Sequence, residues 1–339
     1  VISHDDQGRG VTLKDVAQAA GVSVSTASRV LDERNRPSTS SAATRVRLAA
    51  DELGYRRNAV ASSLRRGETG TLGVLVPRLT DTVMALMFEA IERAARARRH
   101  FALVATCGDD PQEETRATET LLDRGVDTVI LATARLDDTL PASLRRRRIP
   151  HALVLRSDGV SPSSVGDDDA GGFLAVRHLI DLGHRRIGLL NGPAYTSTGR
   201  DRRAGAERAL REAGIEPDPA LSCSVGYGVS DGIDAGRHLL ELPQRPTAIF
   251  AANDNLAIGV QTAARLLGYV PGRDISIVGY NDIPLVAQLP VPLTSVRTAF
   301  DSIAATALEL ATGSDVRGEP IRRALPTLIP RESTKRLAP

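Results

Sequence analysis

The run V-T-L-K-D-V-A-Q-A-A-G-V-S-V-S-T-A-S-R-V-L at 11–31 leaves the backbone little choice. Leu13, Val16, Ala17 and Ala20 recur at the spacing that puts them on one helical face. Gly21 supplies a tight turn without steric penalty, and Ser23 is suited to cap a second helix over 24–31. Val30 and Leu31 are expected to face inward, and a third amphipathic helix runs through Leu53. Two short helices around a glycine turn are helix-turn-helix grammar. In such a unit the first helix braces the pair against the DNA backbone, and the second directs Val24, Ser25 and Arg29 toward base edges in the major groove. A three-helix bundle with no DNA role has the same pattern, so the next segment matters.

From Asn58 the chain reads N-A-V-A-S-S-L-R-R-G-E-T-G. A helix this short does not repay its own nucleation and orders only against a partner surface. Alone it reads as an ordinary linker. The segment 1–70 holds 11 Lys plus Arg against 8 Asp plus Glu, and Arg56, Arg57, Arg65 and Arg66 bracket the linker. Positive charge is therefore concentrated where DNA phosphates would lie.

Several motifs in fixed order now coincide: V-T-L-K-D-V-A with G-V-S and T-A-S-R-V-L, then E-L-G-Y-R-R-N-A-V-A-S-S-L, G-V-L-V-P, H-L-I-D-L-G-H-R-R-I-G, A-I-F-A-A-N-D-N-L-A-I-G and D-I-S-I-V-G-Y-N-D-I-P. On these, from Val11 to about Leu328, the chain resembles the lactose-repressor family of bacterial transcription regulators. The resemblance implies an all-α helix-turn-helix domain over 11–57, a hinge helix and linker over 58–70, and a two-lobed α/β core of the periplasmic-binding-protein type over 71–339. It implies that the base readers fall on Val24, Ser25 and Arg29, with Thr12, Ser23, Thr26 and Ser28 completing the DNA face. In the hinge it implies Asn58, Ala61 and Leu64, the leucine wedging into a minor-groove base step. Arg29 suits bidentate contact with guanine. The chain departs from the family pattern at the third helix, where Ala42 and Ala43 replace a usual Thr-Arg pair and Thr44 and Arg45 follow two places later. The loop 32–37 is about one residue longer than usual. A phosphate contact there is expected to shift or vanish.

After residue 70 apolar strand-like runs at 72–76, 101–105 and 127–131 alternate with helical stretches at 83–99 and 111–124. A second series follows at 186–190, 247–251 and 275–279. This alternation predicts parallel sheets covered by helices. By resemblance the lobes comprise 71–158 plus 284–325, and 159–283 plus the C-terminal tail, with crossings near 157–165, 280–293 and the tail. Ligands in such folds bind beyond the carboxyl ends of strands. The resemblance places effector contacts on Asp81, Met84, Arg156, Asp167, Arg202, Asn253, Asp254 and Asn281. Arg202, three residues before Gly205, is the foremost of these because its planar fork suits hydroxyls or carboxylates. At least one of Asp167, Asp168 and Asp169 is expected to cap a helix near Ala170, and Asn253 to Asn255 also read as a turn and cap. The run D-T-V-M at 81–84 stands where the family commonly has Asn-Pro and two aromatics. Without that stacking ring the expected effector is sugar-like, and Tyr195 or Tyr227 remains to supply a ring.

Composition excludes other classes. At 339 residues, 42% hydrophobic and 25% charged, the chain is an ordinary globular one. Its formal net charge of +2 is too small for a nonspecific polyanion binder. Cys107 and Cys223 are isolated, which fits a reducing cytosol. The polar first ten residues lack an apolar signal region and are expected to form a frayed arm, and no run approaches membrane-spanning length. The six histidines and two cysteines show no metal-ligand spacing, so neither a metal nor a cofactor is expected. No G-x-x-x-x-G-K-[ST], G-x-S-x-G or H-E-x-x-H occurs. Arg145 to Arg148 read as the solvated end of a helix. The C-terminal segment lacks a leucine heptad, so a coiled-coil tetramer is not expected. The reading is a cytoplasmic, nucleoid-associated homodimer that binds double-stranded operator DNA and a small effector, with no membrane partner and no catalysis. The rival is a solute-binding protein or sugar-processing enzyme on the same α/β core.

Overall fold

The computed structural model describes residues 11–32, 38–56, 68–313 and 319–337. The expected frayed arm, the loop at 33–37 and the hinge residues Asn58, Ala61 and Leu64 lie outside them. Contacts divide the chain into two units, Val1–Thr69 and Gly70–Pro339.

In the first unit α1 (Leu13–Ala20) opens with a reciprocal cap. The Thr12 hydroxyl accepts from the Asp15 amide, and the Thr12 amide donates to Asp15 Oδ2 at 2.8 Å. Gly21, at φ 64°, ends the helix in the left-handed conformation that only glycine adopts cheaply. Helix α2 (Val24–Val30) begins at Ser23, whose hydroxyl accepts from the Thr26 amide at 3.1 Å. Helix α3 (Ser41–Glu52) is capped by Ser40 and stops at Leu53. Val16, Ala17, Ala20, Ala27, Val46, Ala49 and Ala50 form the core, and Val30, Leu31 and Tyr55 pack against it. Small residues dominate because three short helices of this length leave room for little more.

The second unit contains two six-stranded sheets. The first has the order β11-β5-β4-β3-β1-β2, built from β1 (Thr71–Val76), β2 (Phe101–Thr106), β3 (Thr128–Leu131), β4 (His151–Val154), β5 (Ser163–Gly166) and β11 (Ile321–Ala324), all parallel. The second has the order β12-β10-β9-β8-β6-β7, from β6 (Ile187–Asn191), β7 (Ser222–Ser224), β8 (Ala248–Ala251), β9 (Ser276–Asn281), β10 (Thr294–Arg297) and β12 (Thr327–Ile329), with only β12 antiparallel. Helices α4 (Thr82–Ala97), α5 (Pro111–Asp123), α6 (Leu140–Arg146), α7 (Asp168–Asp181), α8 (Ser197–Glu212), α9 (Val229–Leu240), α10 (Asp254–Leu266) and α11 (Phe300–Ala311) connect the strands.

The lobe boundaries drawn from the sequence need correction. Strand β5 belongs to the first sheet, since Leu153 pairs with Ser163 and Ile321 pairs with it from the other side. Strand β10 belongs to the second, with Thr294 against Val278. The chain therefore passes between sheets at 166–168, 297–300 and 324–327. The Ser-Ser-Val-Gly sequence of β5 gives no strand signal, and its place is set by hydrogen bonds from both neighbours. The Arg145 to Arg148 run is likewise not simply solvated. Arg145 pairs with Asp158 at 2.9 Å, and Arg147 pairs with Glu119.

Helices α7 and α8 approach unusually closely. A Cβ on Gly172 would lie 2.1 Å from the Arg202 carbonyl oxygen, and one on Gly205 would lie 1.9 Å from that of Asp169. That approach brings the start of α7 against the side chain of Arg202.

Candidate functional site

On α2 Val24 is 44% exposed, Ser25 and Arg29 are exposed, and Thr26 and Ser28 are half-buried, while Ala27 points into the core. Thr12 and Ser23 have helix-capping roles visible in the structure, with the Ser23 hydroxyl also 2.9 Å from that of Ser25. Arg45, displaced from the family pattern, donates from Nε to the Ala20 carbonyl at 3.1 Å and so ties α3 to the end of α1.

In the second unit a crevice of about 370 Å³, its open mouth included, lies at the carboxyl ends of β1, β4, β6, β8 and β9. Six of the eight sequence-expected residues line it: Asp81, Met84, Arg156, Arg202, Asn253 and Asn281. Residues separated by up to 200 positions meet there because both sheets point those strand ends at one crevice. Asp81 caps α4, accepting from the Val83 amide at 3.0 Å, and burial raises its pKa above the ordinary carboxylate value. Asn253 caps α10 by accepting from the Leu256 amide at 2.8 Å, and its Nδ2 donates to the Tyr227 carbonyl at 3.1 Å. Asn281 has φ 102° and donates from Nδ2 to Thr298 Oγ1 at 3.1 Å.

Arg202 is held on three sides. Its Nε donates to Asp168 Oδ1 at 2.7 Å, its Nη1 donates to the Ala252 carbonyl at 2.6 Å, and its guanidinium carbon stands 3.7 Å from the Tyr280 ring centre. Burial alone would lower its pKa, but the Asp168 charge holds it above the ordinary arginine value. Gly171 makes the arrangement possible, since a Cβ there would sit 2.1 Å from the Tyr280 hydroxyl.

The structure corrects two expectations. Asp167 caps α7, accepting from the Ala170 amide at 3.1 Å, and is not part of the cavity lining. Asp254 is buried beneath the lining and accepts from the Ile283 amide at 2.8 Å and from Ser295 Oγ at 2.6 Å. Burial pushes its carboxyl up to about 7. Asp254 adjoins the lining residue Asn253, and alignment by motif does not tell a cap from a contact. The sequence reading missed Val83, Leu155 and Thr198 on the lining. Tyr227, raised there only as a possible ring, is on it, with its hydroxyl 2.9 Å from Thr198 Oγ1 and 3.1 Å from Thr196 Oγ1. Tyr195 lines a neighbouring crevice instead, where the Arg135 guanidinium covers its ring at 3.9 Å. Among the described residues no group of three or more His, Cys, Asp and Glu side chains could hold a metal, and no helix is long and apolar enough to cross a membrane.

A helix-turn-helix unit in one chain with a two-sheet core that holds a crevice lined by polar and apolar side chains defines a ligand-responsive DNA-binding regulator. Residues 12–58 match the family model described as bacterial regulatory proteins, lacI family, and residues 176–334 match a periplasmic binding protein-like domain. The chain is 31% identical over 302 residues to the ribose operon repressor of Escherichia coli (strain K12), covering 88% of this chain and 91% of that one. It is 31% identical over 294 residues to the transcriptional repressor CytR of the same organism, covering 86% and 85%. Among solved structures it is similar to a Lac repressor bound to ONPG, with a TM-score of 0.84, 28% identity and coverage of 96% and 100%. It is also similar to the transcriptional regulator CelR in complex with cellobiose, with a TM-score of 0.71, 29% identity and coverage of 95% and 99%. The chain belongs to the lacI family of bacterial regulatory proteins.

Proposed function

We propose that this regulator is a repressor that binds a pseudo-palindromic operator as a homodimer and changes its operator affinity when a small, sugar-like effector occupies the cavity. The observation that carries this reading is the convergence of Asp81, Met84, Arg156, Arg202, Asn253 and Asn281, scattered along the chain, on one crevice. Its hydrogen-bonding groups, from Asp81, Thr198, Arg202, Asn253 and Asn281, suit a ligand rich in hydroxyls. The names of the similar ribose operon repressor and of the CelR–cellobiose complex support a carbohydrate. On DNA, Arg29 grips a guanine, Val24 and Ser25 read neighbouring base edges, and Leu64 wedges into the minor groove. Two-fold symmetry of the dimer gives the operator its pseudo-palindromic form.

The cavity binds without chemistry in this reading. Asp81 is the lone carboxylate on the described lining, and glycoside hydrolysis commonly uses two flanking the scissile bond. Selection from random duplexes with the full chain, followed by titration of the selected site with and without a panel of mono- and disaccharides, tests the proposal. A panel sugar that shifts the titration midpoint supports it. Failure to enrich any sequence overturns the operator reading, and an enriched site that no sugar affects overturns the carbohydrate reading.

A further inference from the structure

Leu155 lines the cavity in a backbone conformation that leucine rarely takes. Its φ is 62°, and the Arg156 amide donates to the Val154 carbonyl across it at 2.6 Å, closing a three-residue turn at the end of β4. A positive φ at the centre of such a turn is the rare and strained sense, tolerated by glycine, asparagine and aspartate far better than by leucine. The turn is pinned on its other side by the Leu155 amide, which donates to the Ser164 carbonyl at 3.1 Å. Strain of this kind persists at sites where a side chain has to be presented in one direction.

The side chain so presented is 5% exposed and belongs to the same apolar cluster as Val83 and Met84, which also line the cavity. These three side chains from the first sheet's lobe make a hydrocarbon patch. The same lobe also contributes Asp81 and Arg156, and the second sheet's lobe contributes Thr198, Arg202, Tyr227, Asn253 and Asn281. The lining thus holds one apolar patch, Val83, Met84 and Leu155, among polar and charged groups.

We propose that Leu155 is a specificity-determining residue, and that with Val83 and Met84 it forms the wall against which a deoxygenated, methyl-bearing edge of the effector lies. The class of ligand is a deoxy sugar, its hydroxyls turned to the polar side chains of the lining and its methyl group to Leu155. This rests on the carbohydrate reading given above. An apolar wall leaves a hydroxyl without a partner, so it favours the methyl-bearing member of any pair that differs only there.

The test uses calorimetry and thermal shift on the full chain with three matched pairs: L-rhamnose and L-mannose, L-fucose and L-galactose, D-fucose and D-galactose. The 6-deoxy member of at least one pair should bind about tenfold or more tightly than its hydroxylated partner. Leu155→Asn suits the turn and supplies a polar group, and should bring that ratio to about one or below. Leu155→Gly removes the wall without adding polarity and serves where the asparagine variant does not fold. Leu155→Met keeps the wall and should keep the preference. Equal or tighter binding of the hydroxylated partners, or a ratio that survives Leu155→Asn and Leu155→Gly, overturns the role of Leu155 while leaving a carbohydrate site in place. Binding of none of the six sugars, in a protein whose operator responds to another carbohydrate, overturns the deoxy-sugar class alone. If no carbohydrate acts at all, the underlying reading fails with it.

Discussion

Arg202 Nε meets Asp168 Oδ1 at 2.7 Å with both side chains only 6% exposed, so the foremost candidate for ligand contact is also half of a buried ion pair. Removing one member of such a pair leaves the other charged and dry. Arg202→Ala is expected to lower stability by about 3–5 kcal/mol as well as to abolish the effector response. The double variant Arg202→Ala with Asp168→Asn should lose less stability than the two single losses added together, because the orphaned carboxylate is gone. Denaturant unfolding of the four proteins measures the coupling, and strict additivity would remove the pair from the account.

Arg29 stands exposed on α2, and its Ala variant should lose about 1–3 kcal/mol of specific affinity and relax the preference at one base pair in each half-site. Binding-site selection with the variant checks this. Recovery of the unchanged base preference would exclude Arg29 as a reader.

Leu64→Ala, in the segment outside the described residues, should weaken operator binding by on the order of a few kcal/mol while leaving salt-dominated binding to random DNA nearly unchanged. Competition titrations at two salt concentrations separate the terms. Equal losses on both DNAs refute the wedge.

Glu114 supplies a pH signature. Burial pushes its carboxyl up to about 7, against a hydrogen bond from Thr133 that favours the charged form. A folded-state pKa raised above the unfolded one means that this group's stabilising contribution is complete below about 4.5. It is lost as pH rises through about 7. Glu114→Gln cannot titrate, so between pH 5 and 8 it should gain about 2 kcal/mol relative to the parent chain. Parallel unfolding curves at all pH values would show that Glu114 is not so perturbed.

The sequence made the local signals legible. Gly21 and Ser23 announce a turn and a cap, and the apolar runs that became β1, β2, β3, β6, β8 and β9 stand out against helical stretches. Strands β5 and β11 were illegible because Ser163, Ser164, Arg322 and Arg323 carry no strand propensity and are recruited by neighbours far along the chain. The lobe boundaries failed with them. In the site, motif positions found Arg202, Asn253 and Asn281, yet could not separate them from Asp167 and Asp254, whose caps and buried hydrogen bonds depend on three-dimensional neighbours. Leu155 was missed because nothing in V-L-R-S reveals a positive φ. The signal would have been a leucine at a turn position where asparagine or glycine is expected.

The passages between sheets at 166–168, 297–300 and 324–327 also bear on biogenesis. The first sheet lacks an edge strand until residue 324 has been made, and the second until 329, whereas the helix-turn-helix unit is complete within the first 69 residues. At roughly 5–20 residues per second, a nascent chain spends on the order of 15–50 s with its DNA reader synthesised and neither sheet closed. Once made, β5 and β10 wait for their edge partners β11 and β12, and the growing chain is exposed to mispairing with its neighbours on the same polysome.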